Sequence, residues 1–268
     1  MLNAFRRSFS RNLSSQAKKK TEVTLTDDLI GQAIEAEPSL SKISKDFWER
    51  CHETFQNHGI ATESFLRIVT GNPPVLTRHP KQIVHVLENW RSCQFGEYSF
   101  HLLITKYPEF LDVTDGSYLI QRVTYLKELA CTNKNVWKLL MNSPGLIKEN
   151  SAAIEDRYQY LTSVMRLDVP EIVKSEVFSK SLEVLKTRHM FLDRLGLFKP
   201  RSIRADPDEP TKNHRLYQIV DSSDKSFATK IARVTLFEWE TFQDLYRKEL
   251  REAEEEMDGD DDDESDEE

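Results

Sequence analysis

Three arginines recur at one position of a repeated motif, and their type and spacing indicate phosphate chemistry. The motif is Arg-x-x-(Tyr or Phe)-Leu, and its arginines are Arg122, Arg157 and Arg188, which lie 35 and 31 residues apart. The planar guanidinium group matches phosphate oxygens with two parallel hydrogen bonds. A column of such groups would form a stripe that binds a nucleic-acid backbone. The alternative is that each arginine forms an ion pair or a cap inside its own repeat.

Six further basic residues extend this candidate phosphate-binding surface. For them the alternative is an ordinary solvated face, because charged side chains are mostly exposed without any ligand. The section 78–201 holds eighteen basic and fourteen acidic residues, a net charge of +4. The predicted nucleic-acid-binding set is the three motif arginines with Arg166, Lys174, Lys186, Arg194, Lys199 and Arg201.

No arrangement of residues in the sequence matches a catalytic or metal-binding motif. There is no Gly-rich phosphate loop, no G-x-S-x-G and no paired Cys or His at metal-ligand spacing. His79 and His85 are six residues apart, which places them on different faces of a helix. Cys51, Cys93 and Cys131 are odd in number and far apart, which favours a reducing compartment and small core residues over disulfides. The sequence predicts a non-catalytic protein with no cofactor and no metal.

A second periodic signal indicates the elements that position these arginines. An apolar helix end followed by Pro-x-φ-φ, where φ is apolar, occurs at 73–76, 108–111 and 144–147, with spacings of 35 and 36 residues. Proline stops a helix without harm just past its end, and the apolar pair after it would fill the gap between neighbouring units. A period of this length is typical of helix pairs that stack to bury a shared core. The sequence therefore predicts an all-α fold, a curved α-solenoid.

Charge is segregated along the chain, whose net charge is −8. Residues 1–20 carry six Lys and Arg and no acid, with Leu2, Phe5 and Phe9 along one helical face, which is typical of a mitochondrial transit peptide. The alternative is a disordered basic arm. Residues 252–268 carry thirteen Asp and Glu and no base, which predicts a disordered acidic tail. No apolar run approaches the roughly 20 residues of a transmembrane helix, so no membrane association is predicted.

Composition and punctuation divide the chain into five segments. Three prolines and many charges in a short stretch indicate a linker between the array and a last group of helices. The predicted segments are a transit peptide at 1–20, a helical repeat array at 26–198, a linker at 199–213, C-terminal partner-binding helices at 214–251 and the acidic tail at 252–268.

The C-terminal helices carry more large aromatic side chains than about 40 residues can bury. Thr235 and Glu238 form a capping box that starts the last helix. Large aromatic residues at a surface are the usual anchors of a protein interface. The alternative is that they cap the end of the array. The predicted partner-binding residues are Phe227, Ile231, Trp239, Phe242, Leu245 and Tyr246.

These features together resemble the mitochondrial transcription termination factor (mTERF) family. The run TRHMFLDRLG from Thr187 to Gly196 is similar to that family's Arg-x-x-(Phe/Tyr)-Leu-x-x-Leu-Gly signature. The longer run that starts at Pro170, and the acidic tail, resemble the fourth member of the family in particular. The resemblance covers roughly residues 47–256 and is weakest before Phe100, where Ile83 replaces the arginine.

The resemblance implies a basic concave face that binds nucleic acid. Similarity to the fourth member implies binding of mitochondrial ribosomal RNA and recruitment of a Sun-domain RNA cytosine methyltransferase. This would occur in the mitochondrial matrix during large-subunit assembly, in support of translation. The acidic tail, which would repel nucleic acid, favours this interpretation. Two alternatives stay open: a factor that binds mitochondrial DNA and terminates or regulates transcription, and a helical scaffold that binds protein alone.

Overall fold

The computed structural model describes residues 24–202 and 211–260, and within these ranges the chain forms helices and no strand. This confirms the all-α class predicted from the double period. The predicted transit peptide lies outside the described residues, as do 203–210 of the predicted linker and 261–268 of the acidic tail. The chain divides into two compact units, Met1–Glu88 with Ile104–Thr114 and Asn89–Leu103 with Asp115–Glu268.

The first unit is built around aromatic side chains of its second and third helices. Trp48 and Phe55 both pack against Phe65, with ring centroids 6.2 and 5.7 Å from the Phe65 ring, and all three side chains are buried. The described helices of this unit are α1 (Asp27–Ala36), α2 (Lys45–Asn57), α3 (Thr62–Gly71) and most of α4 (Pro80–Ser92), with 3₁₀ turns at Pro38–Lys42, Pro73–Thr77 and Pro108–Asp112.

The second unit continues the alternation of helices, many of them started by a side-chain cap. The Asp115 carboxylate accepts a bond from the Ser117 N–H at 2.8 Å, and Thr132 and Ser181 cap later helices in the same way. Its helices are most of α5 (Glu97–Lys106), α6 (Gly116–Ala130), α7 (Asn133–Asn142), α8 (Ser151–Gln159, extended by a π segment Tyr160–Val164), α9 (Val169–Ile172), α10 (Leu182–Arg194), α11 (Leu216–Val220), α12 (Asp224–Ser226, extended by a π segment Phe227–Ala232) and α13 (Leu236–Asp260), with 3₁₀ turns at Pro144–Ile147 and Val177–Ser179.

Each predicted apolar pair after a proline lies in a short 3₁₀ turn and is buried, as the sequence predicts. A further such turn, at Val177–Ser179, has no proline before it and was not predicted, yet Val177 and Phe178 are buried in the same way. The apolar pair, rather than the proline, is therefore the constant part of the repeat. We call these segments the apolar turns. Their buried pairs are Val75/Leu76, Phe110/Leu111, Leu146/Ile147 and Val177/Phe178.

A residue with left-handed backbone follows the longer helix of each repeat. Four of these residues are not glycine, although positive φ disfavours any residue with a Cβ. Their spacing of 35, 37, 35, 30 and 37 residues marks the period along the described chain. They are Gly59, Gln94, Cys131, Arg166, Gly196 and Arg233, with φ between 55° and 78°; Gly96, with φ of 84°, lies outside this series.

Arg233 continues this series beyond residue 198, where the predicted array ends. Helices α11 and α12 form one more repeat, and α13 packs beside it through ring contacts of Trp239 with Phe227 at 4.7 Å. These contacts favour a last repeat plus one helix, and the predicted separate unit at 214–251 stays a prediction.

Helix α13 also runs to Asp260, nine residues into the segment 252–268 that the sequence predicts as disordered. Glu and Ala are good helix formers, so a helix that is already anchored by its first turns can propagate through them. The described part of the tail, 252–260, is thus a helical extension of α13.

Candidate nucleic-acid and partner interfaces

The motif arginines lie on the buried side of their helices. Each precedes by four residues a leucine that is fully buried, and residues at i and i+4 share one helix face. Arg157 and Arg188 are accordingly only 6% exposed, whereas Arg122 is half-buried. The buried leucines are Leu126, Leu161 and Leu192.

Arg122 and Arg157 bond to backbone carbonyls just beyond an apolar turn. Arg122 Nη2 donates to the Glu149 carbonyl at 2.7 Å. Arg157 Nη1 donates to the Lys180 carbonyl at 3.0 Å and Nη2 pairs with the carboxylate of Glu149. A helix end leaves carbonyls without partners, and a guanidinium group satisfies them.

Arg188 makes the fullest version of this contact, at the end of α11. Its Nη1 donates to the carbonyls of Ile219, Val220 and Ser222 at 2.7, 3.0 and 2.9 Å. Its Nη2 pairs with Asp224, the first residue of α12, at 2.8 Å. One side chain therefore ties α10 to the end of α11 and to the start of α12.

These contacts favour the internal cap for Arg157 and Arg188, whose assignment to nucleic acid stays a prediction. A guanidinium group this deeply buried reaches a phosphate only if it leaves its carbonyl partners, which costs the bonds it makes there. The alternative stated above, an internal cap, describes both residues. Arg78 plays the same part in the first unit, where Nη1 donates to the Leu111 carbonyl at 2.6 Å. Sequence analysis missed Arg78 because it lies before its helix, outside the motif.

Three other predicted basic residues are brought together on the surface. Arg166 is exposed and donates from Nη1 to the Arg201 carbonyl at 3.0 Å. Arg201 pairs through its guanidinium with Asp168 at 2.8 Å. The exposed Lys199 is held through its backbone N–H and carbonyl by the Asn213 side chain, at 2.9 and 2.8 Å. We call Arg166, Lys199 and Arg201 the basic turn. It contains three cations, one of which pairs with Asp168.

The remaining predicted basic residues have other surroundings. Lys174 is exposed, two residues after α9 ends. The Lys186 ammonium lies 5.9 Å from the centre of the Tyr160 ring. Arg194 is exposed but pairs with Glu249 at 2.6 Å. Their assignment to nucleic acid stays a prediction.

Most of the predicted partner-binding residues belong to the core instead. Phe191 of α10 inserts among them, with its ring centre 5.1 Å from Trp239 and 4.6 Å from Phe242. Phe242 is half-buried and Leu245 is 56% exposed. The predicted residues that are buried, and so cannot contact a partner directly, are Phe227, Ile231, Trp239 and Tyr246.

The opposite side of α13 carries two exposed apolar side chains among polar and charged ones. Phe237 is 75% exposed, and Leu245 lies eight residues later, about two turns along the same face. Phe237 is not among the partner-binding residues predicted from the sequence. Phe237 lies two residues before Trp239, and residues at i and i+2 of a helix face different directions. This spacing is the sequence signal that Phe237 points away from the side of the helix that buries Trp239. Phe237 and Leu245 form what we call the outer face of α13.

A histidine next to the motif arginine of α10 is buried against aromatic rings. His189 Nδ1 and the Tyr160 hydroxyl are 2.7 Å apart, and the Phe198 ring lies edge-on at 4.8 Å. Burial lowers the pKa of His189, with a smaller opposing effect from Asp193. Its Nε2 is buried with no hydrogen-bond partner in the described part of the chain. The neutral imidazole therefore fits this site and the charged form does not.

We expect stability to fall in mild acid because of this histidine. The pKa of His189 lies below its ordinary value of 6.5 in the folded state, so the unfolded chain takes up its proton first. Stability is unaffected well above pH 6.5 and is lost as the pH falls below it. The midpoint of urea unfolding should be lower at pH 5.5 than at pH 8. His52, whose pKa is also lowered by burial, contributes with the same sign.

The His189→Gln variant should show a weaker pH dependence than the natural chain, and His52→Gln serves as the comparison in the other unit. An equal pH dependence in all three chains would remove His189 from this role.

The cysteines differ in their surroundings. Burial raises the pKa of Cys51 and of Cys93 to about 12, so both thiols stay protonated as core residues. Cys131 is exposed at the end of α6, contrary to the expectation of a core position.

Residues 24–202 and 211–260 hold no cluster of three His, Cys, Asp or Glu suited to a metal ion. Within the same ranges, every helix is too short or too polar to span a bilayer.

Comparison with known proteins agrees with the repeat architecture. The family model described as mTERF matches residues 3–228, which includes the additional repeat formed by α11 and most of α12. The chain is similar to "Transcription termination factor 4, mitochondrial" of Mus musculus, with 24% identity over 193 residues. That match covers 71% of this chain and 55% of the mouse protein, so the chain spans about half the length of this relative.

Proposed function

The chain belongs to the mTERF family, and on this premise we propose that it binds ribosomal RNA in the mitochondrial matrix. There it positions a Sun-domain RNA cytosine methyltransferase during assembly of the large ribosomal subunit, and so supports mitochondrial translation. The chain itself supplies no catalytic residue in this proposal. It acts as the targeting subunit of the enzyme.

The observation that carries the RNA part is the basic turn. Arg166, Lys199 and Arg201 come from two separate stretches of the chain, and Arg166 contacts the backbone of Arg201. Guanidinium and ammonium groups at such a place neutralise phosphates in succession, which supplies most sequence-independent affinity for nucleic acid. Asp168 forms an ion pair with Arg201 in the free protein. A phosphate that binds Arg201 would compete with this carboxylate.

The outer face of α13 supports the partner part of the proposal. Phe237 and Leu245 remain exposed at 75% and 56%, while their aromatic neighbours on the other side of the helix fill the core. Interface hot spots are typically a few large side chains that become desolvated on binding. RNA and partner would therefore use separate surfaces of the second unit.

A second candidate is a factor that binds mitochondrial DNA and controls transcription. The name of the mouse relative favours it. Competition between RNA and duplex DNA of the same sequence separates the two candidates, because A-form and B-form helices expose different grooves to a protein. A scaffold that binds protein alone is the third candidate, and the internal use of Arg157 and Arg188 favours it.

The charge-removal triple Arg166→Gln, Lys199→Gln and Arg201→Gln should weaken RNA binding roughly a hundredfold at 0.1 M salt. The slope of log affinity against log salt should become shallower by about 2, at about 0.7 for each lost phosphate contact of a single strand. The measurement is a fluorescence-anisotropy titration of a labelled RNA at several salt concentrations.

The matched control removes three other exposed cations of the second unit, Lys225, Lys230 and Arg233. It changes the net charge equally and should leave most of the affinity in place. If both triples weaken binding to the same degree, only net charge matters and the basic turn is not the site.

A further inference from the structure

One predicted nucleic-acid-binding residue is already occupied by an anion of the same chain. Arg194 ends α10, and its two terminal nitrogens bond to the two carboxylate oxygens of Glu249, at 3.2 and 2.6 Å. This forked geometry is the one a guanidinium group uses for a phosphate. Glu249 thus holds the place that a phosphate would take on Arg194.

The contact is positioned by the core rather than by two loose side chains. The Arg194 guanidinium lies over the rings of Phe242 and Tyr246, 5.3 and 5.5 Å from their centres. Phe242 packs against Phe191 of α10 at 4.6 Å. The α13 helix therefore delivers Glu249 to Arg194 at a fixed register, and the ion pair lowers the pKa of Glu249.

Beyond Glu249 the chain becomes strongly acidic. Residues 252–268 carry thirteen acids and no base, and the described helix continues to Asp260. A helix rises about 1.5 Å per residue, so residues 252–255 lie within about 10 Å of Glu249 along the axis, which is one Debye length at 0.1 M salt. Arg251 offsets one of the three acids at 252–255, and the remaining negative charge acts on Arg194.

We propose that the acidic end of α13 is a built-in competitor that lowers the affinity of the second unit for nucleic acid. Glu249 occupies Arg194, and the following acids repel phosphates from it. A nucleic acid must displace Glu249 before Arg194 can contribute, so weak and non-specific ligands are rejected first. Lys199 and Arg201 follow Arg194 by five and seven residues, which puts the basic turn at the same end of α10. The inference rests on the proposed binding of RNA.

The test compares two single substitutions on one helix. Glu249→Gln breaks the contact, whereas Glu240→Gln removes the same charge from another exposed position of α13. We expect Glu249→Gln to bind a single-stranded RNA probe about threefold tighter than the natural chain at 0.1 M salt, and Glu240→Gln to bind almost as the natural chain does. Deletion of 252–268 should tighten binding about tenfold, and this gain should shrink as salt rises.

A double-substitution cycle locates the effect. In an Arg194→Gln background, Glu249→Gln should give no gain, because the cation it releases is absent. The contact has no role in RNA binding if Glu249→Gln and Glu240→Gln increase the affinity equally, or if Glu249→Gln still increases it without Arg194. Either result would show that only net charge matters.

Failure of the competitor and failure of RNA binding give different results. If the natural chain binds RNA and none of the acidic variants binds more tightly, the competitor is refuted while the proposed function stands. If neither the natural chain nor the deletion variant binds RNA, both are refuted. Melting temperatures accompany each titration, and the single substitutions keep the test decisive if the deletion variant unfolds.

Discussion

Replacement of Arg188 by methionine should destabilise the second unit by about 3–5 kcal/mol, because it removes one member of a buried charged network. Three carbonyls at the end of α11 lose their donor, and Asp224 loses its cation. Methionine retains an apolar stem but also loses the guanidinium that lies 4.9 Å from the centre of the Phe227 ring. The loss should come mainly from carbonyls that water cannot reach.

The measurement is thermal unfolding followed by circular dichroism. A destabilisation of this size lowers the melting temperature by roughly 6–20 °C in a unit of this length. Arg188→Lys should recover only part of the loss, because a single ammonium group cannot donate to three carbonyls and a carboxylate at once.

The control is Arg194→Met, an exposed arginine on the same helix with an exposed acidic partner. Its cost should be at most about 1 kcal/mol, as for most surface ion pairs. A different outcome would contradict this prediction: Arg188→Met melts at the same temperature as the natural chain but binds RNA more weakly. Arg188 would then bind phosphate in solution rather than the carbonyls at the end of α11.

The motif arginines show what their spacing could and could not predict. The period of 35 and 31 residues indicated equivalent places in stacked repeats, and the structure has them there. Two roles are compatible with equivalent places, a row on the surface and a series of internal caps. The i to i+4 relation between each arginine and a buried leucine contained the answer, because it places both on one face. The carbonyl groups that these arginines bind cannot be identified from the sequence, because every residue has a backbone carbonyl.

The end of the array was harder to predict than its middle. In the middle, each proline fixes a helix end and the apolar pair follows it at once. The stretch 199–213 has the composition of a linker, and the apolar turn at Val177 lacks its proline. The left-handed residues continue through this region to Arg233, but four of the six are not glycine. Backbone conformation at such positions is set by the packing of the helix end rather than by residue type.

The basic turn and the outer face of α13 depend on contacts between distant parts of the chain. Arg166 and Arg201 are 35 residues apart, and Phe191 covers the aromatic side of α13 from more than 45 residues away. Of the six residues that sequence analysis selected, four are buried and Leu245 alone lies on the outer face of α13. Sequence analysis had no means to see that α10 supplies a cover for one side only.

A pair of substitutions two residues apart on α13 should separate core from interface. Trp239→Ala should cost about 3–5 kcal/mol of stability, because it empties a completely buried site among Phe191, Phe227 and Phe242. Phe237→Ala should change stability by no more than about 0.5 kcal/mol, because its ring is 75% exposed. The measurement is urea unfolding of both variants beside the natural chain.

Binding of the proposed methyltransferase partner should show the opposite order: Phe237→Ala should lose affinity, and folded Trp239→Ala should keep it. Loss of a hot-spot aromatic costs at least about 2 kcal/mol of binding free energy, which is roughly a thirtyfold loss of affinity. In a titration with the purified partner, Phe237→Ala should therefore show this loss of affinity, while its melting temperature and its affinity for RNA are unchanged. Leu245→Ala, on the same face, should lower the affinity for the partner in the same way.

Trp239→Ala, by contrast, should lose the partner only to the extent that it unfolds. Its affinity should therefore recover at low temperature or in a stabilising osmolyte, whereas that of Phe237→Ala should not recover. If folded Trp239→Ala protein still fails to bind while Phe237→Ala binds normally, the partner inserts into the aromatic cluster and the outer face is not the interface. If both variants bind normally when folded, the partner uses a surface outside α13, and the exposed aromatic residue at 237 needs another explanation.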